Sequence, residues 1–198
     1  ATKKFDPSRS IPAEDLRDLL GAIRLSASSY GLQPYKIFVV KDMDLRERLR
    51  PSCWNQPQIT EASEVMVIAN KVDFKADLID SYLEEVSATR GVPVENLSGY
   101  GDFMKSKLLS LPTASKAEWT ARQAYIALGN LLSAAAALRI DACPMEGFDR
   151  GQVDEILDLE AQGLTTAVII PIGYSSEADD TQHYKKVRRS EESLFEYK

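Results

Sequence analysis

The chain has 198 residues, 44% of them hydrophobic and 27% charged, with 24 lysines and arginines against 30 aspartates and glutamates for a net charge of -6. That composition describes one globular domain, excludes a disordered chain, and argues against a nucleic-acid binder, which needs a net basic face for phosphates. The only cysteines, Cys53 and Cys143, sit in no metal or redox spacing and no secretory leader is read at the start, so reduced thiols in a cytoplasm are expected.

Residues 1–12 hold Lys3, Lys4 and Arg9 without an apolar period and read as an opening segment. Ser10, Pro12 and Glu14 then suit a helix start, and Leu16, Leu19, Leu20 and Ile23 supply its buried stripe to about Leu25. From Ser26 to Tyr35 the serines and Gly31 favour turns, and Pro34 drives Gln33 out of helical space. Lys36 to Val40 is a short buried strand. Asp42 to Arg50 is a charged helix ended by Pro51, and Ser52 to Gln58 is irregular. Glu64 to Ala69 reads as a second buried strand, Phe74 to about Arg90 as an amphipathic helix, and Pro93 to Leu111 as helical in part, around Gly99 and Gly101.

Ser115 and Glu118 form a capping box that opens one long helix reaching Leu138. From Ala124 to Leu138 only Asn130 and Ser133 are polar, which leaves no wide solvated face and predicts burial nearly all round. The window is too short and too polar at its ends for a membrane span. Its small residues, among them Ala121, Ala124, Ala127, Gly129 and Ala134 to Ala137, let another backbone approach, from the same chain or a second one. Ile140 to Cys143 then leads into a turn at Met145 to Phe148, Asp149 caps a helix to about Leu157, and Leu164 to Ile172 is a third strand. The rest is a polar tail with a basic knot, Lys185 to Arg189, and apolar residues at its tip, Leu194, Phe195 and Tyr197. These must fold back on their own domain or wrap a partner. Few strands among many helices predict an α+β layer fold, a small sheet covered by helices.

Several common chemistries have no support. With His183 as the single histidine, in a charged tail segment, neither a histidine-based triad nor a zinc cluster can be assembled, and no metal site is expected. Gly99-Tyr-Gly101 begins a dinucleotide fingerprint but has Met104 where the third glycine belongs, and no Walker loop exists. What remains is basic residues at both ends of an acidic chain: Lys3 and Lys4, then Lys185, Lys186, Arg188 and Arg189. Ammonium groups and planar guanidinium forks are the usual hosts of an anion such as a phosphate.

Seven stretches occur in a telling order: Thr2 to Asp6, Ser26 to Tyr35, Trp54-Asn55, Glu118-Trp119 through Gly129-Asn130, Pro144 to Asp149, Ile170 to Gly173, and Lys186-Val-Arg188. Together they resemble the FMN-dependent NAD(P)H nitroreductase family, in its oxygen-insensitive nitroreductase and dihydropteridine reductase branch. The resemblance implies a nitroreductase-like α+β fold, with a small mixed sheet flanked by helices, as a single domain over residues 1–198. It also implies an intertwined homodimer, residues 174–198 extending over the partner, and FMN at the subunit interface.

Carried over by position, Lys186 and Arg188 match residues that hold the FMN phosphate. The opening segment with Lys3 matches the other half of that site, where the family has an arginine at a position just ahead of Ala1. Ser28 and Ser29 match the loop that meets the flavin and its ribityl chain, and Gly31 replaces an asparagine of better-known members. Asn55 matches a residue at the pyrimidine edge. Gln58 falls where some relatives carry lysine, which leaves Lys3 as the cation for the N1 and O2 edge of the reduced ring. Glu146 and Gly147 match a turn whose backbone amides face N5 and O4. Tyr100, Phe103 and Trp119 are substrate-channel candidates by aromatic character.

The implied activity takes two electrons from NADH or NADPH to a nitroaromatic, a quinone or an oxidised dihydropteridine by a ping-pong mechanism, with no strictly catalytic side chain. The other readings are a non-catalytic FMN-binding dimeric protein, or a different flavin reaction on the same fold.

Overall fold

In the computed structural model, which describes residues 1–198, four strands form one sheet in the order β1-β2-β4-β3: β1 (Tyr35–Val40), β2 (Glu64–Lys71), β3 (Asp141–Ala142) and β4 (Leu164–Gly173). Every neighbouring pair is antiparallel, where the resemblance implied a mixed sheet. The pairing shows why. Val40 at the end of β1 lies opposite Val65 at the start of β2, and Lys71 at the end of β2 lies opposite Leu164 at the start of β4. The connection from β1 to β2 returns the chain to the end of the sheet it left, whereas the stretch from Lys71 to Asp141 crosses to the Gly173 end and the stretch from Ala142 to Leu164 crosses back, so that β4 runs antiparallel to both its neighbours.

Alternation along the strands fills two cores. Met66, Ile68, Val168, Ile170 and Ile172 face α1 (Ala13–Arg24) and α6 (Thr113–Ala137), meeting Leu16, Leu19, Ile23, Leu128 and Leu131. Val65, Val67 and Ile169 face the other way. They pack with Phe5, with Leu49 of α2 (Met43–Ser52), Ile59 of α3 (Gln58–Glu61) and Val153 of α7 (Arg150–Ile156). A third cluster joins α4 (Ala76–Arg90) to α5 (Ser98–Leu108) through Ile79, Leu83, Met104 and Leu108. Arg46 of α2, only 2% exposed, donates to the carbonyls of Val40 (2.8 Å), Ala62 (2.7 Å) and Ser63 (2.8 Å) and meets the Glu64 carboxylate at 3.5 Å. It ties the end of β1 to the start of β2.

Asp42 caps α2 by accepting from the Leu45 N–H at 2.7 Å, and Asp149 caps α7 by accepting from that of Gln152 at 3.0 Å. Helix α2 runs on through Pro51 to Ser52, two residues past Arg50, the expected last residue. Helix α6 begins at Thr113, ahead of Ser115, with no side-chain cap. Its first turn is anchored instead by Lys116, whose Nζ meets Asp73 at 2.8 Å and the Phe74 carbonyl at 3.1 Å. The expectation that this helix is buried nearly all round is not met within one chain. Ala124, Ala127, Leu128, Leu131 and Ala135 are buried, while Tyr125, Ile126, Gly129, Asn130, Ser133, Ala136 and Ala137 face outward. From Tyr184 to Lys198, including α8 (Glu191–Leu194), the tail is exposed. No helix is long and apolar enough to cross a membrane.

Candidate functional site

The opening segment is laid beside the chain that leaves β4. Asp6 N–H donates to the Tyr174 carbonyl at 2.8 Å, Ser176 N–H to that of Lys4 at 3.0 Å, and Phe5 bridges Ser175 in antiparallel fashion. Asp179 locks the arrangement: one carboxylate oxygen accepts from the amides of Lys3 (2.7 Å) and Lys4 (3.3 Å), the other from the amide and hydroxyl of Thr181 (3.1 and 2.6 Å). Burial pushes the Asp179 carboxyl upward, but these bonds outweigh it and hold the group down at about 2. A folded-state value below the unfolded one contributes stability that is complete above about pH 4 and is lost as the pH falls towards 2. Asp179→Asn should therefore lower the urea midpoint at pH 7 while the gap to wild type narrows on acidification; a gap unchanged between pH 7 and pH 3 contradicts this account.

Lys3 thereby comes to the side of Cys143, a buried residue whose thiol is pushed up by burial against the opposing pull of the Lys3 charge and the Gln58 side chain. Gln58, 4% exposed at the start of α3, keeps its Oε1 buried without any hydrogen-bond partner. The segment before it folds under the Met145–Phe148 turn. Trp54 and Asn55 take left-handed φ values of 54° and 55°, and Gln56 Nε2 donates to the Gly147 carbonyl at 2.9 Å. A Cβ on Gly147 would lie 2.8 Å from the Trp54 indole and 3.3 Å from Gln56 Nε2, so glycine is what lets the turn sit so close. Neither the Glu146 nor the Gly147 N–H is donated to a protein acceptor. Lys3 and Gln58 thus act on Cys143, while Trp54 and Gln56 join the Asn55 segment to the turn at Gly147.

Lys186 lines a cavity of about 500 Å³ together with Thr2, Arg139, Asp141, Asp179 and Tyr184, so the two ends of the chain do converge. Arg188 does not line it; its guanidinium donates to the carbonyl of its neighbour Val187 at 2.7 Å.

Ser28, Ser29 and Gly31 belong to a different cluster, at the end of α1. Ser29 N–H donates to Oε1 of Gln123 on α6 (2.8 Å), and Ser28 Oγ accepts from Gln33 N–H (3.0 Å). At Gly31, with φ of 80°, a Cβ would stand 2.7 Å from the Tyr82 hydroxyl, which accounts for glycine where the resemblance has asparagine. Tyr30 in the same loop also has a positive φ, of 58°, and its ring packs 6.5 Å from Tyr100 and 6.4 Å from Phe103, both exposed. Trp119 takes another place: half-buried, 5.7 Å from Phe74, it joins the third core cluster.

Sequence reasoning passed over one contact at the turn. The Tyr125 hydroxyl, from the outward face of α6, donates to the Glu146 carboxylate. Burial first, and then this bond, pushes the phenol up to about 12. Tyr125 lies in the stretch expected to be buried nearly all round, and no local pattern pairs it with a residue 21 positions later.

Known proteins resemble this chain in sequence and in fold. A family model described as Nitroreductase family matches residues 1–174. The chain is 35% identical over 205 residues to a Staphylococcus epidermidis protein named among the NAD(P)H nitroreductases, SERP2086, covering all of this chain and 92% of that protein. It is 36% identical over 185 residues to the major NAD(P)H-flavin oxidoreductase of Aliivibrio fischeri, covering 90% of this chain and 85% of that one. Among solved structures, YdfN of Bacillus subtilis matches with a TM-score of 0.88 at 22% identity, over 100% of this chain and 94% of its own. A nitroreductase of Exiguobacterium sibiricum, solved in complex with FMN, matches with a TM-score of 0.84 at 19% identity, over 100% of this chain and 92% of its own. At these identities the two structures speak for the fold.

Proposed function

The chain belongs to the nitroreductase family and is an oxidoreductase; from that premise we propose that it binds FMN and carries two electrons from NADH or NADPH to nitroaromatics, quinones or an oxidised dihydropteridine, in ping-pong fashion. The observation that carries this reading is the turn whose Glu146 and Gly147 amides meet no protein acceptor, held beside the Trp54–Gln56 segment. Donors without a protein partner are open to a ligand, and a flavin ring offers carbonyl and ring-nitrogen acceptors along one edge. The residues therefore fit the cofactor.

When bound, FMN supplies the hydride chemistry, and the protein supplies orientation and charge. The Glu146 and Gly147 amides present donors from a turn that Gln56 and Tyr125 hold in place. Lys186 offers its charge to the phosphate, and Lys3, exposed, brings a cation whose field reaches Cys143. A cation near a ring that gains negative charge on reduction favours the reduced form. Lys3→Ala should accordingly lower the midpoint potential of bound flavin in a spectroelectrochemical titration; an unchanged potential removes Lys3 from that role.

The outward face of α6 supports a homodimer. Ile126, Gly129, Ala136 and Ala137 form a small-residue stripe open to a second copy, and the loop at Ser28 to Gly31 then completes the partner's site. The decisive experiment is direct. The purified protein is expected to be yellow, to bleach with NADH or NADPH in the absence of oxygen, and to recover colour with a quinone. Bound flavin that neither nicotinamide reduces would favour the non-catalytic binding protein, and failure to take up FMN would reject both.

A further inference from the structure

The cavity that holds Lys186 contains a second cation, Arg139, at the end of α6, and neither residue makes an ion pair. Arg139 stands where the helix is closed off: its N–H donates to the Ala136 carbonyl at 3.2 Å, that of Ile140 to the Ala135 carbonyl at 2.8 Å, and its φ is 58°. Glycine usually fills this closing position, because a Cβ is disfavoured in the left-handed region. A long cationic side chain kept there against that preference, with no side-chain hydrogen bond to its own chain, points to a task for its charge.

The carboxylates of the cavity do not supply the task. Asp141 accepts from the Ser175 amide at 2.7 Å, and both oxygens of Asp179 are engaged by the amides of Lys3, Lys4 and Thr181 and by the Thr181 hydroxyl. Lys186 and Arg139 then share a space of about 500 Å³ with Asp141 and Asp179 and form an ion pair with neither. We propose that Arg139 joins Lys186 in gripping the phosphate of FMN, so that the anion is held between the end of α6 and the tail. The inference rests on the FMN reading above and adds a residue to it. A planar guanidinium offers two parallel N–H donors to a phosphate, which a lone ammonium does not.

The test is Arg139→Gly, which removes the side chain while giving the helix end the residue its backbone prefers. The dissociation constant for FMN, read from quenching of flavin fluorescence, should rise about tenfold to a hundredfold. That for riboflavin, which lacks the phosphate, should stay the same, and the flavin-free protein should melt at an equal or higher temperature. Arg139→Lys should recover part of the FMN affinity. An equal loss for riboflavin and FMN overturns the assignment, because the phosphate would not be the group sensed. So does an altered KM for NADPH but not NADH with FMN affinity intact, which would hand the cation to the other nucleotide. Wild-type protein that binds FMN alongside an unaffected Arg139→Gly variant sinks this inference alone, whereas wild-type protein that binds no FMN sinks the proposed function with it.

Discussion

Replacing Arg46 with leucine should cost about 3–5 kcal/mol of stability, read as a lower urea midpoint with an unchanged slope. The guanidinium is 2% exposed and serves three carbonyls, those of Val40, Ala62 and Ser63, each within 2.8 Å of a donor nitrogen. Burial lowers the guanidinium's tendency to stay protonated, Glu64 opposes that, and the residue keeps its charge in any case. Leucine fills much of the volume but donates nothing, and each buried carbonyl left unpaired costs about 1–3 kcal/mol. Glu64 would keep only Lys41, at 3.6 Å and largely solvated. Arg46→Lys should fall between wild type and Arg46→Leu, because one ammonium reaches some of the carbonyls but not all in one plane. A loss below about 1 kcal/mol for Arg46→Leu would show that these carbonyls find water or other donors.

Lys186→Glu should weaken FMN binding about thirtyfold or more. Removing the ammonium deletes an attraction to a doubly charged phosphate, and the carboxylate adds a repulsion. At contact distance and intermediate dielectric each is worth about 1–4 kcal/mol, and about 1.4 kcal/mol is tenfold in affinity. Lys186→Gln should lie in between. Both losses should shrink in concentrated salt, since the cavity is open and its charges are screened. Riboflavin affinity is the internal control. Equal weakening for FMN and riboflavin would mean that the tail, not its charge, was what the substitution disturbed.

What the sequence disclosed about the fold follows from local physics. Three strands announced themselves as short apolar runs closed by turn residues, and α7 by an aspartate whose side chain does cap it, Asp149. β3 did not, because two residues paired to Gly173 and Ile172 carry no periodicity. The start of α6 was misplaced for a related reason. Ser115 and Glu118 satisfy a local rule, but Lys116 reaching Asp73 and the Phe74 carbonyl is a tertiary anchor that lies 42 or more positions away. The same helix looked buried on every side because its outward residues are small or apolar, which is what a surface awaiting another backbone also looks like.

The candidate site was legible by resemblance and much less by chemistry. Glu146 and Gly147 read as an ordinary turn until Trp54 and Gln56 were found packed against the glycine. Convergence of the termini was visible as charge, yet the group that enforces it is an acid, Asp179, which no count of lysines and arginines would single out. Tyr30 and Arg139 owe their interest to positive φ angles, a property that sequence hints at only through the absence of a glycine.

The antiparallel pairing of residues 4–6 with 174–176 has a practical corollary for anyone handling the molecule. A purification tag or fluorescent fusion joined ahead of Ala1 would emerge on to the very cavity that Lys186 lines, crowding whatever nucleotide lodges there. Constructions of that kind should be cleaved before any flavin content is scored, or a pale preparation would be blamed on the wrong cause.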